Sequence, residues 1–95
     1  MDDNSPYRIS HKITDQEYGS CNVYYMKPGG YEPKHYHDGV EVEYVIKGNC
    51  KTHKEGQVYV YQKDEVHEVI NDSNDELVFV CLTIPPDSEK NTTYV

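Results

Sequence analysis

Four of the five histidines fall between residues 35 and 67, and the pair His35-Tyr36-His37 is followed closely by Glu41. On an extended strand, residues i and i+2 point to the same side, so His35 and His37 aim together while Tyr36 faces away. Two imidazoles placed this way chelate a divalent ion. A tight turn at Asp38-Gly39 sends the chain back, and Glu41 returns a carboxylate to the same side. His67, from a later strand, completes a set of three nitrogens and one oxygen and leaves room for exchangeable ligands on an octahedral ion. That set suits Fe(II), Mn(II), Ni(II), Co(II) or Zn(II), and metal availability and geometry choose among them more than ligand type does.

Extended segments must carry these side chains, and the rest of the chain supplies them. Apolar, β-branched and aromatic runs lie at Cys21 to Met26, Val40 to Ile46, Gln57 to Tyr61, Glu65 to Ile70 and Leu77 to Ile84, with a further short one at Cys50 to His53. Their breaks fall at Pro28-Gly29-Gly30, Asp38-Gly39, Gly48-Asn49, Glu55-Gly56, Lys63-Asp64 and Asn71 to Asp75, where turn chemistry is expected. Helical periodicity is absent. Strands about 8–12 residues apart with no helix between them predict an all-β, antiparallel sandwich or barrel. A chain of 95 residues fits one domain. Residues 1–10 read as an arm that is disordered or laid along another surface, residues 11–84 as the barrel, and residues 85–95 as a polar tail.

At these residues the sequence resembles the cupins. The first cupin motif is Gly, five residues, His-x-His, three or four residues, Glu, six residues, Gly, and it is matched by Gly29, His35, His37, Glu41 and Gly48. The second is Gly, five residues, Pro-x-Gly, two residues, His, three residues, Asn, and it is matched in spacing by Gly56, His67 and Asn71. There Gln62 replaces the family's Pro and Asp64 its Gly; Asp tolerates the left-handed conformation that a turn needs. The resemblance implies a double-stranded β-helix, or jelly-roll barrel, with His35, His37, Glu41 and His67 holding one divalent transition metal ion. It also implies a homodimer.

Several further side chains are placed by alternation. With Glu41 inward, Glu43 and Val45 also face inward and Val42, Tyr44 and Ile46 face the other way. A second carboxylate beside the ion is a candidate general acid or base, the alternative being a solvated Glu43 at the barrel mouth. Tyr25 and Tyr61 are the phenols singled out as candidate proton carriers. His11 and His53 match no motif and read as ordinary surface or core residues. Val58 and Val60, with Val78, Val80 and Leu82, make both faces of their strands apolar, which predicts a partner over the outer face.

The formal charge of −8 opposes binding to nucleic acid and to anionic membranes. No run approaches the length needed to span a bilayer, and the first ten residues do not read as a signal peptide. Cys21, Cys50 and Cys81, odd in number and without a C-x-x-C pair, read as reduced thiols and point to the cytoplasm. The leading functional expectation is a small metalloenzyme of dioxygenase, isomerase or lyase type acting on a small oxygen-rich metabolite. The alternative is a module that binds or senses a small molecule or metal without turning it over.

Overall fold

The computed structural model describes residues 8–86 and 92–95. Eight strands follow in order: β1 (Arg8–Asp15), β2 (Ser20–Met26), β3 (Tyr31–His37), β4 (Val40–Lys47), β5 (Val58–Tyr61), β6 (His67–Ile70), β7 (Leu77–Ile84) and β8 (Thr92–Tyr94). No helix is present among the described residues. The strands form a five-stranded sheet in the order β1-β2-β7-β4-β5 and a three-stranded sheet in the order β6-β3-β8. Every ladder is antiparallel. The expected all-β jelly-roll barrel is the observed fold.

Three local features differ from the sequence reading. Arg8 to Ser10, read as part of an arm, belong to β1, which lies along β2 from Arg8↔Met26 to Asp15↔Ser20 with a register shift between Lys12 and Thr14. The rest of that arm lies outside the described residues. From the segment read as a tail, Thr92–Tyr94 forms β8 and pairs with β3; residues 87–91 lie outside the description. The expected short strand at Cys50 to His53 is a loop instead, closed by the single bridge Asn49↔Lys54 and a hydrogen bond from the Cys50 amide to the His53 carbonyl at 2.8 Å. Turn residues crowd both of its ends, which leaves no length for a ladder.

Registers across the large sheet sort its inward side chains into rows. Glu41 lies beside Thr83 and Tyr61, with Ser20 beyond Thr83; Glu43 lies beside Cys81 and Tyr59, with Asn22 beyond Cys81. The next rows are apolar: Val45, Phe79 and Tyr24, then Leu77 and Met26. The interior is therefore graded, polar at one end and hydrocarbon at the other. Met26, Val45 and Leu77 are fully buried, each contributing roughly 1.5–3 kcal/mol by its removal from water. The Tyr24 and Phe79 rings stack at 5.2 Å.

The opposite face of the same sheet is apolar and open. Tyr44, Val58, Val60 and Leu82 are all exposed, and the registers Val42↔Leu82, Val42↔Val60, Tyr44↔Val80 and Tyr44↔Val58 make them neighbours. The outward positions of β2, β7, β4 and β5 carry one charged side chain, Lys47 at the end of β4, in a chain that is 27% charged.

Candidate metal centre

Each ligand position is set by local backbone chemistry. In β3, His35 and His37 share the buried side while Tyr36 is only partly covered, as the two-residue period requires. His67, the first residue of β6, is the register partner of His35. Glu41 comes from β4, in the other sheet. The Asp38-Gly39 turn joins them, and Gly39 has no room for a side chain, because a Cβ there would run into the Ile84 carbonyl oxygen and the Pro85 ring. That close approach fixes how far Glu41 stands from His37. At the second motif Asp64 has a φ of 64°, the left-handed conformation expected of the residue standing in for the family's Gly. Its amide donates to the His37 carbonyl at 2.9 Å, tying the loop before β6 to the end of β3. The motif's Asn71 is structural: fully buried, its amide donates to the carbonyls of Met26 and Asp75 at 3.0 and 2.9 Å.

The three imidazoles converge. Ring centroids lie 4.2 Å apart for His35 and His67, 4.9 Å for His35 and His37, and 5.2 Å for His37 and His67. Glu41 Oε2 is 2.7 Å from His37 Nε2 and 2.9 Å from His67 Nε2. One donor atom from each of His35, His37, Glu41 and His67 lies within 4.8 Å of the others, and all four residues are at least nine-tenths buried. Each ring also has an outer anchor: His35 Nδ1 is 2.7 Å from the Pro33 carbonyl, His67 Nδ1 is 2.9 Å from the Glu65 carbonyl, and His37 Nδ1 is 3.0 Å from Thr92 Oγ1. An Nδ1 that donates outward leaves Nε2 as a lone-pair ligand. This donor set fits a divalent transition metal ion.

Electrostatics separate the two neighbouring carboxylates. Burial raises the Glu41 acid, but hydrogen bonds from His37 and His67 outweigh it and hold the group well below the usual carboxylate range. Its other oxygen accepts from the Cys81 thiol at 2.7 Å. Burial lowers the basicity of His67, yet its hydrogen bonds to Glu41 and the Glu65 carbonyl, with the Glu41 and Glu43 carboxyls, together outweigh it and the pKa rises; burial lowers His35. Glu43 is 2% exposed and not solvated at a mouth. Burial, then the adjacent Glu41 charge, push its carboxyl well above the usual range.

Behind Glu43 stands a residue the sequence reading passed over. His53, read as an ordinary residue, is fully buried, with Nε2 2.6 Å from Glu43 Oε1 and Nδ1 2.7 Å from Thr52 Oγ1. Burial pulls its pKa down to about 4, so the pair is a neutral acid against a neutral imidazole. In that arrangement the Glu43 hydroxyl donates to Nε2, and Nδ1–H donates to Thr52, which also accepts from the Ile70 amide at 3.0 Å. Cys81, one of the three reduced thiols, also reaches the site: burial and the nearby carboxylates raise its pKa well above the usual range, which keeps it a proton donor to Glu41. No spacing signal marks His53, Cys81 or Thr92, because only the barrel's closure brings them to the site.

The two candidate tyrosines part company. Tyr61 joins the site: its ring lies flat on His67, 3.9 Å between centroids and 5° between planes, and burial raises its phenol pKa. Tyr25 does not. It alternates with the buried Tyr24 and Met26 on β2 and meets the His11 ring edge-on at 5.6 Å, because the strand's two-residue period turns it to the outer face.

Comparison with known proteins agrees with this fold. The family model described as Cupin domain matches residues 22–83. Among solved structures, the chain is similar to an uncharacterized conserved protein with a double-stranded β-helix domain from Klebsiella pneumoniae, at TM-score 0.81 and 19% identity, covering 96% of this chain and 86% of that one. It is similar to the polyketide cyclase RemF from Streptomyces resistomycificus, at TM-score 0.81 and 14% identity over 95% and 72% of the two chains. It is also similar to ectoine synthase from P. lautus, at TM-score 0.76 and 18% identity over 99% and 80%. No curated protein matches it in sequence. With the family match spanning more than half its length and the motif residues gathered at one buried centre, the chain belongs to the cupin family.

Proposed function

We propose that this cupin is a metal-dependent enzyme acting on a small oxygen-rich metabolite, with chemistry of the isomerase, lyase or dioxygenase kind. The observation that carries the reading is Glu43: a buried acid with a raised pKa, one inward position along β4 from Glu41 and held by His53. A structural barrel gains nothing from a second buried carboxyl, whose burial costs free energy, whereas a carboxyl whose pKa burial has raised is suited to proton transfer. His35, His37, Glu41 and His67 would hold the ion, which supplies Lewis-acid or redox chemistry when bound. Glu43 gives or takes the proton, and Tyr61 packs His67 in place. Two of the structural neighbours, the cyclase and ectoine synthase, are enzymes, which supports turnover over mere binding.

A second copy of the chain covers the apolar patch of Tyr44, Val58, Val60 and Leu82 on the outer face of the large sheet in this reading, since an isologous contact buries like against like. A stable dimer needs about 800 Å² per partner, and the open face runs across the adjacent strands β2, β7, β4 and β5. We assign the protein to the cytoplasm on its three unpaired thiols.

The test is metal-reconstituted protein assayed against hydroxy acids, keto acids and sugars, by O₂ uptake and by NMR for isomerisation or elimination. Glu43→Gln is expected to keep the metal and to lose turnover by about 10²–10⁴-fold. Metal and ligand uptake with no turnover of any substrate class would return the reading to a binding module.

A further inference from the structure

Each ring in the metal centre has its outer nitrogen anchored, but the three anchors differ in kind. His35 and His67 are held by backbone carbonyls two residues away, Pro33 and Glu65. Those anchors form as soon as the local strand forms. His37 is held by a side chain 55 residues further on, the Thr92 hydroxyl at 3.0 Å. Thr92 lies on β8, which reaches the site only by pairing with β3 through His37↔Thr92, Tyr36↔Thr93 and His35↔Tyr94. Further contacts hold β8 there: the Val95 amide donates to the Lys34 carbonyl at 3.0 Å, and the Tyr94 hydroxyl donates to Glu32 at 2.7 Å. The Tyr94 ring lies 5.6 Å from the His35 ring. The last strand of the chain therefore flanks both histidines of β3.

From this arrangement we propose that Thr92 is a positioning residue of the metal centre, so that docking of the C-terminal strand and occupation of the site by metal are linked equilibria. With Nε2 turned to an ion, His37 Nδ1 carries the proton and Thr92 Oγ1 accepts it; the hydroxyl selects the tautomer and the ring plane that ligation needs. Loss of such an outer partner costs about 10–100-fold in metal affinity. Linkage is reciprocal: a strand that favours the metal is favoured by it to the same extent. The inference rests on the metal-binding reading of His35, His37, Glu41 and His67 and adds to it a residue and a segment that the cupin motifs do not contain.

The experiment uses the full chain and zinc as the probe, with affinity measured by competition against a chromophoric chelator. Thr92→Val keeps the shape and strand preference of the side chain without its acceptor, and Thr92→Ser keeps the acceptor. The valine variant is expected to bind zinc at least about tenfold more weakly and the serine variant to stay within about threefold of wild type. Equal affinity in the valine variant and wild type overturns the proposal, as does an equal loss in both variants. Hydrogen exchange of the wild-type amides at residues 92–95 gives an arm that needs no variant. Zinc is expected to slow their exchange, and unchanged exchange at saturating zinc overturns the linkage even if a variant fails to fold. Wild-type protein that binds no zinc refutes the metal reading itself, which separates that failure from failure of the role given to Thr92.

Discussion

Acidifying the metal-free protein from about pH 7.5 to about pH 5 charges His53 in the unfolded chain but leaves it neutral in the folded one. Burial holds the folded imidazole at about 4, against an ordinary value near 6.5. The unfolded state therefore binds the extra proton across this window, and stability falls as the pH falls, being fully present only above the unfolded value. Those two values give a loss of about 2 kcal/mol by pH 5, rising to roughly 3 kcal/mol below pH 4. Other groups near this imidazole also titrate, among them Glu41, Glu43 and His67, so the wild-type slope alone does not isolate His53. His53→Gln does: its amide carbonyl accepts from Glu43 as Nε2 does, and it has no proton to bind. Urea unfolding followed by circular dichroism at several pH values, with chelator present, measures both proteins. The wild type is expected to lose about 2 kcal/mol more than the glutamine variant between those pH values. Parallel slopes would refute the reasoning and mean that His53 takes up its proton in the folded protein over the same pH range as in the unfolded chain.

Other expectations follow from single contacts. Gly39→Ala is expected to destabilise the protein by about 1–3 kcal/mol in urea unfolding, and to weaken zinc binding, since the added methyl group must push β4 away from the Ile84 carbonyl; unchanged stability would show that the turn relaxes freely. Asn71→Ala, which strips hydrogen bonds from the buried Met26 carbonyl and from the Asp75 carbonyl, is expected to cost about 1–3 kcal/mol in the same assay. Tyr44→Lys, which puts a charge on the open apolar face of the large sheet, is expected to give a folded monomer by sedimentation velocity, and a persistent dimer would place the interface elsewhere.

Much of this architecture is legible in the sequence because its rules are local. The two-residue period of β4 places Glu41, Glu43 and Val45 on one side without reference to any other strand, and the observed burial follows it. The spacing of the two cupin motifs locates the four candidate ligands, and Asp64 takes the left-handed conformation its motif position asks for. Local rules fail where the partner is distant. Tyr25 and Tyr61 look alike in sequence, and only the order β2-β7-β4-β5 and the inward side of each strand separate them. Thr92 sits in a polar segment that gives no strand signal, because a three-residue edge strand is stabilised by the ladder it joins rather than by its own composition. His53 lies in a tight loop, and its burial depends on the barrel closing over that loop beside Phe79 and Tyr59.

The measurement that tests the central claim most directly is metal content by elemental analysis, on protein purified without an affinity tag or added metal, beside His35→Ala and His67→Ala. About one transition metal ion per chain is expected in the wild type, and none in either variant, since each removes one of the convergent donors. Wild-type protein that carries no metal and takes up none from a panel of divalent ions would contradict the account.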